Sequence, residues 1–265
     1  MNRSRIKIET GSFFDERAAL FLAKPKITRR DLCYMSGRDY RVWTEDIYTN
    51  LIESIGSMLD LNPQITLLEV GCAAGFLAQG VSPKVLKYMG VDLSPVSLKL
   101  ARRLDLPNAV FRPANATVLP FGDSHFDRAL CYDVFTNISD LEVCKKIIAE
   151  MARVVKPDGC FLIGSLADAR AQVGYEQKVS ELSASLPPFM DDPDIVSKKW
   201  MPWQYRLLTM WHKARKHQPS QIFCYYFDPD LFVGIGKDLG LKVEILPIHS
   251  RNPYASYRFN VLFLK

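Results

Sequence analysis

The period of the apolar positions changes several times along the chain, and each change marks an element. From Trp43 to Leu59 the apolar residues Trp43, Ile47, Leu51, Ile55 and Met58/Leu59 recur every three or four positions. That spacing predicts a helix, and Asn62-Pro63 ends it. Four short apolar runs follow, each closed by a turn: ITLLEV (65–70), KYMGVDL (87–93), AVFRPA (109–114) and FDRALCYDV (126–134). Helical stretches separate them, notably SPVSLKLARRL (94–104), which opens on a Ser cap with Pro at the first helical position. SDLEVCKKIIAEMARVV (139–155) puts Leu141, Ile147/Ile148, Met151 and Val154/Val155 on one face and stops at Lys156-Pro157. GCFLIGSL (159–166) is a fifth strand. Strand and helix alternating in this way predict right-handed crossovers and a parallel sheet covered on both faces, an α/β fold.

The two ends of this run depart from it. Residues 1–36 show little period: SFFDERAALFLA suggests a short amphipathic helix, and the rest reads as a loop or arm. Residues 168–220 predict two longer helices, around 170–185 and 195–217, joined by the Pro- and Asp-rich LPPFMDDPD. The alternation then resumes with IFCYYF, a helix begun by Asp228-Pro229, a strand LKVEILPI (241–248), a loop HSRNPYASY and a last strand RFNVLFLK. The expected organisation is an N-terminal arm or cap (1–40), a core (41–167), a helical insertion (168–220) and the resumed core (221–265).

Composition narrows the class. With 265 residues, 48% of them apolar, the chain can furnish a full core. A formal net charge of +5 with 24% charged residues is mildly basic and spread out, which does not point to nucleic acid. The six cysteines, Cys33, Cys72, Cys131, Cys144, Cys160 and Cys224, form no CxxC pair and have no His or Cys at metal-ligand spacing. Neither a metal site nor a disulfide framework is expected, and a reducing cytoplasm fits. The opening MNRSRIKIET lacks the apolar core of a signal peptide, and no run reaches membrane-spanning length, so no membrane insertion is expected.

Candidate chemistry lies at the carboxyl ends of the strands, where open α/β sheets bind ligands. Gly71 to Gly75 follow the first strand; glycine there permits unusual dihedrals and a close backbone approach. The loop is not a P-loop, since no Gly-Lys-Ser/Thr follows, and it lacks the dinucleotide GxGxxG spacing. Asp92 ends the second run and is placed to accept hydrogen bonds from ribose hydroxyls. Asn115-Ala116 follow the third run, where a side-chain amide could meet an adenine edge. Taken alone, the glycines could be a tight turn and Asp92 a helix-terminus charge. His125, in a polar turn, reads as a surface residue. Trp200, Trp203, Leu207 and Trp211 share a helical face that suits packing in the insertion or an acceptor pocket. Lys198, Lys199, Arg206, Lys213, Arg215 and Lys216 suit a solvated helix face or, more sharply, an acidic or phosphorylated acceptor.

Four segments, EVGCAAG (69–75), GVDLSP (90–95), ANATVLPFGDSHFD (114–127) and EMARVVKPDGCFLI (150–163), stand in the order and at the spacing of one family. The chain resembles the class I S-adenosylmethionine-dependent methyltransferases over about residues 40–167 and 221–265. The resemblance implies a Rossmann-like, doubly wound, mostly parallel seven-stranded sheet with its last strand antiparallel, carrying a helical insertion lobe. It implies S-adenosyl-L-methionine as cofactor, S-adenosyl-L-homocysteine as product, and no metal. By position it implies that Glu69, Gly71, Cys72, Ala73 and Gly75 line the methionine end. Asp92 and Leu93 fall at the ribose, Asn115 and Ala116 at the adenine, and Cys131 and Tyr132 near the sulfonium. Three residues depart from the family pattern: Ala73 replaces a middle glycine, Asn115 an aspartate, and Asp158 the second glycine of a KPGG turn.

Methyl transfer is an in-line displacement, so the protein contributes mainly placement and solvent exclusion. Where a base is needed, Asp133 after the fourth strand and His249 in the HSRNPYASY loop are the candidates; their bland readings are a local cap and a loop residue. No Asp/Asn-Pro-Pro-Tyr/Phe follows the fourth strand, where Cys131-Tyr132-Asp133-Val134 stands instead, and the Pro-Cys pair of cytosine C5 enzymes is absent. The expected acceptor is therefore an oxygen or nitrogen of a small molecule, acidic or sugar-like ones included. Residues 168–220 and Gly37-Arg38-Asp39-Tyr40 would wall its pocket. The alternatives are an RNA or protein methylase, with nucleic acid the less favoured partner, and a non-catalytic interaction module that keeps the fold. The oligomeric state is not legible.

Overall fold

The computed structural model describes residues 14–185 and 224–265. A helical turn over 14–19 leads to α1 (Arg29–Met35) and α2 (Glu45–Met58), and then the sheet begins. Its strands are β1 (Thr66–Val70), β2 (Lys87–Asp92), β3 (Ala109–Pro113), β4 (Phe126–Tyr132), β5 (Val155–Asp168), β6 (Tyr226–Phe227), β7 (Lys242–Pro247) and β8 (Arg258–Leu264). Between them run α3 (Ala78–Val81), α4 (Pro95–Ala101), α5 (Leu141–Val154), α6 (Gln172–Ser185) and α7 (Pro229–Asp238). The spatial order is β3-β2-β1-β4-β5-β8-β7, with β6 paired to the end of β5. β8 is antiparallel to both neighbours, and the remaining pairs are parallel.

From β1 the chain winds outward to β2 and β3 on one side and returns to β4 on the other, leaving a crevice at the carboxyl ends of β1 and β4. Both faces are covered, as the near-continuous apolar runs require. Leu67 packs with Ile55, Leu59 and Tyr88 on one face, while its neighbour Leu68 packs with Ala129, Ile148 and Phe161 on the other. Asp140 caps α5 by accepting from the Glu142 backbone N–H, and the helix buries Cys144, Ile147, Ile148, Met151 and Val154. Each large side chain there contributes roughly 1.5–3 kcal/mol by leaving water.

The N-terminal region differs from the expected loop. Thr28 and Asp31 form a reciprocal capping box that starts α1, and Leu32, Cys33, Tyr34 and Met35 are buried in the core. Asp31, itself buried, pairs with Lys24 at 2.6 Å. Arg103 donates to the carbonyls of Leu22 (3.0 Å) and Lys24, tying this segment to the end of α4. Seven residues make about two turns, too few for an apolar period to show. Elsewhere the shifts are small: the 94–104 helix ends at Ala101 and continues as a 3₁₀ turn, and β5 extends from Val155 to Asp168. The helix expected around 170–185 is α6. The one expected around 195–217, with its tryptophans and basic residues, lies outside the described residues.

Candidate active site

Backbone forms the first half of the site. After β1 the chain turns through Gly71, Ala73 and Gly75 at φ of 80°, 44° and 89°. The N–H groups of Gly71 and Cys72 donate to the Val91 carbonyl at 2.8 and 3.1 Å, locking the loop onto the end of β2. A Cβ at Gly71 would lie 2.3 Å from Cγ2 of Val134, and one at Gly75 would lie 2.6 Å from Cδ1 of Leu104. Only glycine fits both the dihedral and the space. Ala73 holds the left-handed conformation at a cost of about 1 kcal/mol.

Asp92 closes this half. Its carboxylate accepts from the Ala73 and Ser94 backbone N–H groups, each at 2.8 Å, so one side chain joins the loop to the start of α4. Burial pushes its carboxyl up from the ordinary range despite those bonds. Glu69 lies deeper, 3% exposed, and accepts from the Tyr88 hydroxyl. Burial raises its carboxyl to about 7, with the Tyr88 bond working the other way. Cys72 is buried against Gly90, where a Cβ would come within 2.9 Å of its sulfur. Leu93 is 68% exposed beside Asp92. Asn115 is exposed, and its Oδ1 accepts from the Thr117 N–H and hydroxyl at 3.0 and 2.9 Å. That oxygen is occupied in building its turn, with the part-buried Ala116 inside it. Cys131 is fully buried among the residues packed beneath α5, and the Tyr132 ring packs against Gly164.

The second half is assembled from side chains far apart in sequence. A cleft of about 790 Å³ opens at this edge, walled by the segment from Ser36 to Trp43, by Asp133 and Asn137, by α6, and by Tyr254 and Arg258. Gly37, Arg38 and Asp39 are in its wall, whereas Tyr40 accepts from Arg30. Asp133 sits at φ 59°, its carbonyl accepting from Asn137 Nδ2 at 2.9 Å and its N–H bonded to the Gly164 carbonyl. Its two carboxylate oxygens are divided between arginines: Oδ2 accepts from Arg38 Nη2, and Oδ1 from Arg258 Nη1 at 2.7 Å. Arg258 is fixed further by the Ser165 hydroxyl (2.8 Å) and the Tyr175 hydroxyl (2.6 Å). Ser165 is itself left-handed, at φ 62°, where the pairing of β5 with β8 slips. Two strained non-glycine residues thus flank one ion cluster, the pattern that marks functional edges.

His249 does not join this cleft. It is exposed, its Nδ1 accepts from the Arg251 N–H at 3.3 Å, and it borders a separate cavity of about 10 Å³ with Tyr132 and Asn260. His125 is exposed and stacks on Phe121. Arg258, Tyr175 and Tyr254 escaped the sequence reading. One signal was available for Arg258, a lone guanidinium opening a mostly apolar terminal strand. Among the described residues no group of three or more His, Cys, Asp or Glu could hold a metal.

Residues 68–163 match the methyltransferase domain family. Over these residues the chain carries a methyltransferase domain. An uncharacterized methyltransferase of Bacillus subtilis, YcgJ, is 32% identical over 133 residues, covering 48% of this chain and 49% of that protein. The demethylmenaquinone methyltransferase of Renibacterium salmoninarum is 27% identical over 44% of this chain and 46% of its own length. The chain thus spans about half the length of these curated relatives. A solved Haemonchus contortus phosphoethanolamine N-methyltransferase 1, in complex with phosphoethanolamine and S-adenosylhomocysteine, superposes with a TM-score of 0.61 at 10% identity. The match covers all of this chain and 50% of that one, and it is a likeness of fold.

The methyltransferase domain's residues fit its cofactor. A Cβ-free cradle stands at Gly71 and Gly75, and the Asp92 carboxylate beside it is raised by burial, a state that hydroxyl donors relieve. No helix among the described residues is long and apolar enough to cross a membrane.

Proposed function

We propose that the protein moves the methyl group of S-adenosylmethionine to an oxygen or nitrogen of a small molecule seated in the cleft beside β4. The observation that carries this reading is the cleft itself. At about 790 Å³ it lies within the range that suits a small ligand, and it opens where Asp133 follows the fourth strand, next to the cofactor cradle. When bound, the cofactor supplies an activated methyl carbon on a sulfonium.

The chain's own work is placement. Gly71 and Gly75 let backbone approach the methionine end, and Asp92 accepts from the ribose hydroxyls in the proposed pose. Trp43, Tyr175 and Tyr254 wall the cleft with aromatic surface that excludes water from the displacement. With both oxygens held by arginines, Asp133 is better suited to fixing the cleft than to taking a proton, and His249 borders another cavity. The proposed reaction therefore suits an acceptor whose nucleophilic atom carries no proton or loses it before it is bound. The relatives' names, demethylmenaquinone and phosphoethanolamine, support small acceptors without fixing their chemistry.

The test is to incubate the protein with methyl-labelled S-adenosylmethionine and a cell extract, then separate small molecules from macromolecules. Label in the low-molecular-weight fraction supports the proposal. Label confined to RNA or protein contradicts it.

A further inference from the structure

The floor of the cleft carries unequal charge. Arg38 and Arg258 share one carboxylate, that of Asp133. The other charged groups facing the cleft do not correct the imbalance. Asp39 is held by Arg41 through bonds of 2.9 and 3.1 Å from Nε, and Glu176 is exposed at the rim, where it accepts from Gln172. The guanidinium side chains are only 9% and 13% exposed, and the Nε of each is buried without a hydrogen-bond partner among the described residues. A buried N–H of a charged group left unpaired is costly, and native structures leave few of them. Arg38 is moreover fixed in direction: it lies over Phe76 at 4.4 Å and Trp43 at 5.2 Å. Arg258 lies over Tyr175 and Tyr254, each at 5.2 Å. Planar donors stacked between rings, with one surplus positive charge, form a receptor for an anionic oxygen attached to a flat or apolar body.

We propose that Arg38 and Arg258 bind an anionic oxygen group, carboxylate or phosphate, of the methyl acceptor, with Asp133 occupying that place as an internal counter-ion. The inference rests on reading the cleft as the acceptor site. Asp133 then has a defined role: it keeps the arginines paired and aligned in the free protein and competes with the ligand for them. A merely structural carboxylate would not compete.

The competition gives the test. Ligand-detected NMR on the wild-type protein, with and without S-adenosylhomocysteine, would compare benzoate, phenyl phosphate and the neutral benzamide. Benzoate or phenyl phosphate should bind at least about tenfold more tightly than benzamide, and whichever binds better tells carboxylate from phosphate. Arg38→Gln should lower affinity for the preferred anion at least about tenfold while S-adenosylhomocysteine affinity is retained. Asp133→Asn should raise it. Benzamide binding as well as the anions in the wild-type protein would overturn the proposal without need of any variant. So would an Asp133→Asn protein that still binds S-adenosylhomocysteine but binds the anion more weakly. Absence of S-adenosylhomocysteine binding with anion preference intact would instead refute the methyltransferase reading and leave the anion site standing.

Discussion

The proposed cofactor side of the site is made of backbone and near neighbours: a loop of five residues, one carboxylate nineteen positions on, and a cradle that exists because Gly71 and Gly75 have no side chain. The proposed acceptor side is made of long side chains brought together across the whole chain, with Arg38 and Arg258 lying 95 and 125 positions from the Asp133 they share. The first draws mostly on residues close in sequence, with Val134 and Leu104 packed against its glycines. The second exists only when the N-terminal segment, β4 and β8 are all in place. The difference teaches where specificity can change: replacing a few side chains on the acceptor side would alter what is bound and leave the methyl-donor cradle untouched.

If that contrast is right, breaking the acceptor side should be felt by the whole fold. Asp133→Ala leaves two buried guanidinium groups facing each other unpaired, and we expect a loss of about 3–5 kcal/mol in urea unfolding. A loss under about 1 kcal/mol would mean the cluster is solvated in solution.

Glu69 sharpens the contrast next, because its buried carboxyl belongs to the cofactor side yet depends on pH. Its folded value of about 7 lies above the ordinary 4.5, so the fold favours the protonated form. That contribution is fully present below the ordinary carboxylate range and is lost as pH rises through about 7. Relative to Glu69→Gln, the wild-type protein should lose roughly 3 kcal/mol between about pH 4 and about pH 8. Parallel pH profiles of unfolding for the two proteins would contradict this.

A smaller effect separates binding from folding. Asp92→Ala removes the acceptor of the Ala73 and Ser94 N–H groups, so stability should fall by about 1–2 kcal/mol, whereas affinity for S-adenosylhomocysteine should fall roughly thirtyfold. Calorimetry and thermal melting on the same sample check both halves. The smallest effect is at Ala73. Glycine there relieves the left-handed strain at φ 44° while adding freedom to the unfolded chain, so Ala73→Gly should stabilise by up to about 1 kcal/mol. A destabilised variant would show that the alanine methyl packs usefully.

The same contrast explains what could be read before the fold was known. The strands, their order along the chain and the glycine loop were legible because each is encoded within a few residues: apolar runs ended by turns, a Ser94-Pro95 helix start, an Asp92 at a strand end. α1 was not legible by periodicity, although Thr28 and Asp31 spelled a capping box three residues apart. The ion cluster could not be read at all, since nothing local tells an arginine at position 38 that its partner is at 133. His249 misled by its place in a loop near the sheet edge. Two turn bonds, Asn252 N–H to its carbonyl at 2.9 Å and Arg251 N–H to its ring, fold that loop so that the ring borders a separate small cavity. Asn115 occupies the expected strand end, but its oxygen caps its own turn, which no spacing argument could foresee.

The most direct test of the central claim is calorimetric titration of the wild-type protein with S-adenosylmethionine. We predict saturable one-to-one binding with a dissociation constant below about 1 mM, weakened in the Asp92→Ala protein. No detectable binding at millimolar cofactor by a folded protein would contradict it.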